Sequence, residues 1–548
     1  MASSPSATSG DTSTPLIEQT ISKNLAAAVT AHRDRDALVV RHQGIRWTYG
    51  ELAERADQLA RALVAEGFAK GDRIGIWAPN CAEWVLVQFA TARIGVILVN
   101  INPAYRTHEV RYALDQSGCR GLFATTAFKT SDYVAMVDEV RPELDTLERV
   151  WFIGTDDWTG LLARADEVPA DRLDEIGASL RPDDPINIQY TSGTTGYPKG
   201  ATLSHRNIVN NAFFVGEGCR YTPEDRVCVP VPFYHCFGMV MGVLGCTTHG
   251  STIVVPADAF DPAQTMAAVA EEACTSLYGV PTMFIAILAL ADFESYDVSA
   301  LRTGIMAGSP CPVEVMKQCI ERMNMDEVTI CYGMTETSPV STQTATDDPI
   351  DKRVGTVGRA HPHVEIKIVD PETGEIVPRG VPGEFCTRGY SVMTGYWNDP
   401  ERTREAIDGD GWMHTGDLAE MDDEDYVNIV GRIKDMIIRG GENVYPREVE
   451  EFLYGHPAIR DVQVIGVPDA RYGEEIMAWV QTEDGVELTA EEVREYCQGK
   501  IAHYKIPRYV AVTDEFPMTV TGKIQKFKLR DDAIERFGLE DAAGIETA

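Results

Sequence analysis

The stretch that decides how this chain is interpreted combines glycines with hydroxyl residues and reads Tyr190-Thr191-Ser192-Gly193-Thr194-Thr195-Gly196-Tyr197-Pro198-Lys199-Gly200. It follows a short apolar run, residues 186–190, of the kind that forms a buried strand. The glycines let the backbone approach a phosphate chain closely, and the hydroxyl and backbone N–H groups can donate to phosphate oxygens. Lys199 adds a positive point charge. The stretch therefore predicts a phosphate-binding loop that follows a strand and precedes a helix beginning near Ser204.

This loop differs from the P-loop of NTPases, in which a glycine is followed directly by Lys and then by Ser or Thr. Here Pro198 separates Gly196 from Lys199, and Gly200 follows the lysine. The alternative is a flexible surface loop, but such loops rarely combine three glycines, four hydroxyls and a lysine directly after a strand. Phosphate binding is the favoured interpretation.

Around this stretch, short apolar runs alternate with helical patterns. A hairpin is expected from 36–40 and 45–48, and Thr48 with Glu51 forms a capping box that opens a helix. The alternation predicts parallel-rich sheets layered with helices, which is an α/β fold class. The expected strands are Arg73–Trp77, Val96–Asn100, Gly121–Ala124, Val150–Ile153, Asn187–Tyr190, Val227–Val231, Thr252–Val255 and Thr303–Met306.

The composition changes after about Asp417, where an acidic turn and a Gly-rich polar joint precede a second unit. That unit has a helix from Pro446, a strand at Val462–Val467 and a helix at Ala490–Ile501, which predicts a small α+β domain. We expect four parts, listed by residue number: a disordered tail (1–16), a large N-terminal domain (17–431), a hinge (432–437) and a small mobile C-terminal domain (438–548).

Composition limits the partners and the compartment. With 49 basic and 84 acidic residues the chain carries a formal charge of -35, which argues against nucleic acid or an anionic membrane surface as a partner. No apolar run is long enough for stable insertion into a membrane. The 12 scattered cysteines contain no C-x-x-C pair and predict buried free thiols in a reducing cytoplasm. Oligomeric state is not predicted.

Three further segments carry groups that suit a nucleotide. Residues 331–336 offer an aromatic face at Tyr332, a hydroxyl at Thr335 and a carboxylate at Glu336 that suits Mg²⁺. Residues 412–417 end in Asp417, which can accept from ribose hydroxyls. Residues 307–310 form a strand-end turn. Taken alone, each is an ordinary strand end or turn, and a lone lysine such as Lys523 is ordinarily a solvated surface charge.

Together, and in this order, these segments resemble the signatures of the adenylate-forming superfamily, which includes acyl-CoA synthetases, peptide-synthetase adenylation domains and firefly-type luciferases. The similarity extends from about residue 20 to about residue 535. Three segments resemble the medium-chain fatty acyl-CoA synthetase branch most, namely 232–236, 278–284 and 522–530.

The resemblance implies an enzyme that uses ATP, Mg²⁺ and, as co-substrate, CoA. It implies an ATP and AMP site made of Thr191, Ser192, Gly193, Thr194, Thr195, Gly196, Lys199, Gly308, Ser309, Pro310, Cys331, Tyr332, Gly333, Met334, Thr335, Asp417, Arg432 and Lys523. Its catalytic residues would be Lys523, Thr335, Glu336 and Lys199, and its metal ligands Glu336 and Thr194. In this family the lysine matching Lys523 stabilises charge while a carboxylate attacks the α-phosphate.

The resemblance also implies a second half-reaction, in which the small domain rotates about Lys434 and Gly440 and Gly441 line a tunnel for CoA. It places the acyl pocket at His235, Phe237, Met239, Val240 and Gly308. From the residues alone, His235 could equally be a packed core histidine, and the apolar residues after it could be one face of a core helix.

Three functions remain open at this stage. The first is an acid:CoA ligase, most similar to medium-chain fatty acid enzymes. The second is an adenylate-forming enzyme with another acceptor, such as a carrier protein, an amine or a small inorganic nucleophile. The third is a nucleotide-binding regulator without catalysis.

Overall fold

The computed structural model describes residues 4–191, 198–309, 311–439, 442–469, 471–483, 485–519 and 523–540. In the large lobe the strands are β1 (Ala7–Ser9), β2 (Asp36–Val40), β3 (Ile45–Thr48), β4 (Arg73–Trp77), β5 (Ile97–Asn100), β6 (Gly121–Ala124), β7 (Ala127–Phe128), β8 (Ser131–Asp132), β9 (Arg149–Phe152), β10 (Pro185–Thr191), β11 (Lys199–Ser204), β12 (Arg226–Cys228), β13 (Thr252–Val255), β14 (Ser276–Gly279), β15 (Thr303–Ala307), β16 (Glu327–Gly333), β17 (Val340–Gln343), β18 (Arg359–Ala360), β19 (Val364–Val369), β20 (Gly383–Gly389), β21 (Gly395–Tyr396), β22 (Met413–Met421) and β23 (Val427–Arg432).

The helices of the large lobe are α1 (Ile21–His32), α2 (Tyr49–Ala65), α3 (Ala82–Ile94), α4 (Thr107–Ser117), α5 (Tyr133–Val140), α6 (Asp156–Ala163), α7 (Asp171–Ser179), α8 (His205–Gly218), α9 (Gly245–His249), α10 (Pro262–Glu271), α11 (Pro281–Leu288), α12 (Val313–Met323), α13 (Ile350–Gly355) and α14 (Pro400–Ala406), with a π-helix at Phe237–Leu244. The predicted capping box at Thr48 is present, with Thr48 and Glu51 bonded reciprocally.

Two large sheets form the body of this lobe. One has the order β21-β11-β10-β5-β4-β6-β9 and the other β18-β17-β16-β15-β14-β12-β13-β2-β3. Their central strands are parallel, and one core packs α2, α3 and α8 against strands of both sheets. The predicted α/β class with parallel-rich, helix-covered sheets is confirmed.

A third sheet, β1-β19-β20-β22-β23, is antiparallel throughout and was not anticipated. Its first strand corrects the expectation of a disordered tail over residues 1–16. Residues 7–9 pair with β19, and Ser6 is fully buried. The polar composition of this segment concealed it, because β1 is an edge strand stabilised by pairing with residues far along the chain.

The small lobe is built from β24 (Ile437–Arg439), β25 (Glu442–Val444), α15 (Pro446–Tyr454), β26 (Ile459–Asp469), β27 (Gly473–Thr482), α16 (Ala490–Cys497), β28 (Tyr509–Val512) and α17 (Lys526–Phe537). Its two core clusters contain only residues from Ile437 onward. The helix expected at 490–501 is shorter, because the backbone turns extended at Gln498. The exact domain and hinge boundaries stay a prediction.

We expected the predicted phosphate-binding stretch to connect a strand to a helix, but in the structure a second strand, β11, follows it before the helix. Strands β10 and β11 are antiparallel neighbours, with Thr191 paired with Lys199. Lys199 therefore begins a strand, and the expected helix, capped by Ser204, begins only after β11. Residues 199–204 contain Gly and Ser, which weakened the strand signal.

All 12 cysteines are free and buried, as predicted. Among the described residues, no helix combines the length and apolar character needed to cross a bilayer.

Candidate active site

Two of the predicted segments meet where strands with parallel neighbours end, which is where α/β sheets bind ligands. Thr191 ends β10, and its hydroxyl donates to Oε1 of Glu336 over 3.3 Å. Glu336 lies just beyond the end of β16. Of the proposed site, Ser192, Gly193, Thr194, Thr195, Gly196, Pro310, Gly440 and Gly441 lie outside the described residues.

Glu336 is a buried carboxylate, with 4% of its surface exposed. Its Oε1 accepts a second hydrogen bond, 2.8 Å long, from the hydroxyl of Tyr396. In the described part of the chain, no Lys or Arg is ion-paired with Glu336. Buried carboxylates are normally paired with a cation or bound to a metal. The geometry therefore fits the predicted role of Glu336 as a ligand for a hard cation such as Mg²⁺.

Tyr396 is a site residue that the sequence did not reveal. It lies in β21, which pairs with β11, and the Lys199 ammonium lies 4.9 Å from the centre of its ring. Burial, and then the charge of Glu336, raise the pKa of Tyr396, so its phenol stays protonated and donates. One side chain thus contacts both the predicted phosphate-binding lysine and the predicted metal ligand. Only the pairing of two distant strands brings them together.

Asp417 is anchored through both carboxylate oxygens. Arg432 Nε donates to Oδ1 over 2.9 Å, and the Tyr332 hydroxyl donates to Oδ2 over 2.7 Å. The charge of Asp417 raises the pKa of Arg432, and burial followed by Asp417 raises that of Tyr332. A carboxylate has about four acceptor positions, so Asp417 can still accept from a ligand. The structure brings these three predicted residues together.

Lys523 reaches the site from the small lobe. It lines a cavity of about 10 Å³ together with His235, Phe237, Val280 and Gly308 of the large lobe. Partial removal from water, and then the charge of Arg432, lower the pKa of Lys523. Part of the Lys523 side chain remains exposed to solvent. In this lobe arrangement the C-terminal lysine lies beside His235, Phe237 and Gly308, which were predicted to line the acyl pocket.

His235 is neutral in this environment. Burial, and then the charge of Lys523, lower its pKa to about 3, and its Nδ1 accepts from the Phe237 N–H over 3.1 Å. The proton of the ring therefore lies on Nε2. The neighbouring Cys236 Sγ is 3.7 Å from the Thr335 hydroxyl. This contact joins the acyl segment, residues 235–240, to the nucleotide segment, residues 331–336.

The predicted acyl-lining residues divide into two groups. His235, Phe237 and Gly308 line the small cavity. Met239 and Val240, in the π-helix, are instead buried in the hydrophobic core of the large lobe. The cavity holds about one water molecule, so an acyl chain would need this segment to move. Gly308 has φ +92°, in the left-handed region that favours glycine.

The remaining predicted residues lie along the same edge. Cys331 is buried in β16, and the Met334 N–H donates to the Thr337 hydroxyl over 3.1 Å. A Cβ at Gly333 would lie 1.9 Å from the Pro339 carbonyl oxygen, so no larger residue fits there. Ser309 follows Gly308 in the turn after β15.

A second cavity of about 310 Å³ lies beside the segment that carries His235, where Pro232 and Tyr234 line it. It is mainly apolar, its charged lining residues are Lys129 and Asp258, and both lobes contribute to it. Its lining includes Pro103, Phe128, Lys129, Pro232, Tyr234, Phe260, Met283, Met518 and Thr519.

Comparison with known proteins agrees with this geometry. Residues 25–397 match the AMP-binding enzyme family and residues 448–523 match the AMP-binding enzyme C-terminal domain. YngI of Bacillus subtilis (strain 168) is 50% identical over 548 residues, covering 96% of this chain and 99% of that protein. The mitochondrial medium-chain acyl-CoA ligase ACSF2 of Danio rerio is 45% identical, covering 97% of this chain and 91% of that protein.

Among solved structures, the anthranilate CoA ligase AuaEII in complex with anthranoyl-AMP has a TM-score of 0.86 at 27% identity, covering 96% of this chain and 99% of that one. ATP-bound MatB from Rhodopseudomonas palustris has a TM-score of 0.81 at 29% identity, with coverages of 94% and 99%. The chain belongs to the AMP-binding enzyme family.

Proposed function

We propose that this chain is an AMP-forming acid:CoA ligase. A carboxylic acid would attack the α-phosphate of ATP to give an acyl-adenylate and pyrophosphate, and the thiol of CoA would then displace AMP. The observation that carries the proposal is the position of Lys523, which shares one cavity with His235 and Gly308 beside the nucleotide segment.

The first step needs charge stabilisation and positioning more than acid or base chemistry, because the attacking carboxylate is already ionised. Lys523 would stabilise negative charge between the carboxylate and the α-phosphate. Asp417, held by Arg432 and Tyr332, would accept from the ribose hydroxyls. Glu336, with Thr194, would hold Mg²⁺, which when bound neutralises charge on the phosphates. Lys199 would contact the phosphate chain.

The second step needs a thiol to reach the same carbonyl. We propose that the small lobe rotates about Lys434, within a hinge at 432–437 between domains at 17–431 and 438–548, and that Gly440 and Gly441 then line the path. The mainly apolar cavity of about 310 Å³ supports this, because Pro232 and Tyr234, beside His235, line it together with Thr519 of the small lobe. Its size and its mainly apolar lining suit a long neutral arm.

The acid that we propose is a medium-chain fatty acid. ACSF2 of Danio rerio, at 45% identity, is named for that substrate class. The segment from Phe237 to Leu244 is wholly apolar and buried, which suits an aliphatic chain once the segment opens. Residues 232–243 contain no Lys or Arg that could hold the second carboxylate of a diacid.

The test is ATP–pyrophosphate exchange with a panel of aliphatic, aromatic and amino acids, followed by mass detection of acyl-CoA after CoA is added. The proposal predicts exchange that depends on a medium-chain acid, and acyl-CoA formation with AMP release when CoA is present. Exchange without acyl-CoA would favour another acceptor. No exchange with any acid would favour a non-catalytic nucleotide-binding protein.

We further propose that the enzyme works in the cytoplasm. All 12 cysteines are free and buried, which suits a reducing compartment.

A further inference from the structure

The carboxylate of Asp417 is presented by an irregularity in the antiparallel sheet. Strands β20 and β22 pair Glu384 with Leu418 and Cys386 with His414. Three residues of β22, 415–417, therefore lie opposite the single residue Phe385. Such bulges re-aim side chains and are common next to active sites. Gly416 has φ +70°, which is the conformation that a glycine allows at a bulge.

Side chains fasten this bulge to β20. Oε1 of Glu384 accepts from the Gly416 N–H over 3.1 Å, and the Thr415 hydroxyl donates to the Phe385 carbonyl over 2.7 Å. On its other side, the Gly416 carbonyl accepts from the Ile433 N–H over 3.0 Å. Glu384 thus binds the peptide group between Thr415 and Gly416, one peptide unit before the one that joins Gly416 to Asp417.

His414 holds the second oxygen of Glu384. Its Nδ1 lies 2.9 Å from Oε2 of Glu384, and its Nε2 lies 3.6 Å from Oδ2 of Asp408. Hydrogen bonds to Cys386 and Glu384 raise the pKa of His414 to about 10, so the imidazolium donates to the carboxylate. Both oxygens of Glu384 are therefore occupied, and its side chain is fixed between the bulge and a cation.

Glu384, Cys386 and His414 also have the composition of a transition-metal site. Metal binding there would require the loss of protons from His414 and from Cys386, whose pKa is raised by burial. The hydrogen-bonded arrangement already satisfies these groups without an ion. The contacts favour a positioning cluster over a metal centre.

We infer that Glu384 is a positioning residue for nucleotide binding. It holds the bulge so that Asp417 faces the ribose, and His414 fixes the orientation of the Glu384 carboxylate. This inference rests on the proposed function, in which Asp417 accepts from the ribose hydroxyls. It predicts that loss of Glu384 impairs recognition of those hydroxyls without impairing recognition of the acid.

The test compares kcat/KM in pyrophosphate exchange for ATP and for 2′,3′-dideoxy-ATP. Glu384→Ala should lower the preference for ATP by roughly tenfold, through KM for ATP, because a hydrogen bond to a charged group is lost. KM for the acid should not change. Glu384→Gln, which keeps an acceptor for Gly416, should recover most of the preference. The matched control is Glu365→Ala, which removes a partly exposed carboxylate paired with Arg388 on the same sheet and should change nothing.

The comparison with Asp417→Ala separates two failures. If Asp417→Ala leaves the preference unchanged, the ribose assignment of the proposed function is wrong. If Asp417→Ala removes the preference but Glu384→Ala does not, the inference about Glu384 is wrong. Should Glu384→Ala not fold, His414→Gln replaces it and must lower the preference. Stoichiometric Zn²⁺ in the purified enzyme that is lost in Cys386→Ser would also overturn the inference.

Discussion

Replacing Tyr396 by Phe removes one hydroxyl and leaves the ring under Lys199 in place. That hydroxyl donates to Glu336 over 2.8 Å, and the two residues are 7% and 4% exposed. A hydrogen bond to a buried charge contributes about 1.5–3 kcal/mol. Among the residues that the structure describes, the only other hydrogen-bond donor to this oxygen is the Thr191 hydroxyl at 3.3 Å, which is too far away to compensate fully. Tyr396→Phe should therefore lower the free energy of unfolding by about 1.5–3 kcal/mol.

The functional consequence is expected at the metal. If Glu336 is a Mg²⁺ ligand, loosening it should raise the Mg²⁺ concentration that gives half-maximal pyrophosphate exchange by roughly 10–100-fold, as for other residues that orient metal ligands. The measurement is exchange at fixed ATP over a range of Mg²⁺ concentrations, alongside urea denaturation.

A matched control exists in the same chain. Tyr426 is also buried, donates to the carboxylate of Asp348 over 2.5 Å and has Lys352 4.6 Å from its ring centre. It precedes β23, at the opposite end of that strand from Arg432. Tyr426→Phe should cost similar stability and leave the Mg²⁺ dependence unchanged. If both variants shift the Mg²⁺ dependence equally, or neither does, Tyr396 does not position a metal ligand.

Two other predictions concern the hinge and the His414 cluster. Proline fixes φ near −65°, so Lys434→Pro should slow CoA-dependent turnover by roughly 10²-fold and leave pyrophosphate exchange unchanged; normal turnover of acyl-CoA would contradict rotation about this residue. The pKa of folded His414 is about 10, against 6.5 ordinarily, so its contribution to stability is complete below about pH 6.5 and declines as the pH rises towards 10. The Tm advantage of the wild type over His414→Gln should therefore be largest near pH 6 and smallest near pH 10, and a constant difference would show that the imidazolium is not paired.

The parts of the fold that were predictable are those with local signals. The strand at Arg73–Trp77 and the helix after Thr48 follow from an apolar run and a capping box, and the structure contains both. Asp417 and Arg432 were both predicted to belong to the nucleotide site, and they are antiparallel partners.

The parts that were missed depend on contacts between distant residues. Strand β1 is polar and forms because residues 365–367 offer it an edge. Tyr396 joins the site because β21 pairs with β11, and nothing in its neighbours along the chain marks it. Glu384 is significant only because a bulge brings it to Gly416.

Lys523 is proposed to supply the charge for adenylation, and measuring the two half-reactions separately in Lys523→Ala tests this role. Pyrophosphate exchange should fall by roughly 10²–10³-fold, the cost of losing one preorganised stabilising group, while CoA-dependent breakdown of a supplied acyl-adenylate stays near the wild-type rate. Lys528→Ala, at an exposed lysine of α17, is the charge-matched control and should behave as wild type. Exchange close to the wild-type rate in Lys523→Ala, or an equal loss of both half-reactions, would contradict the account.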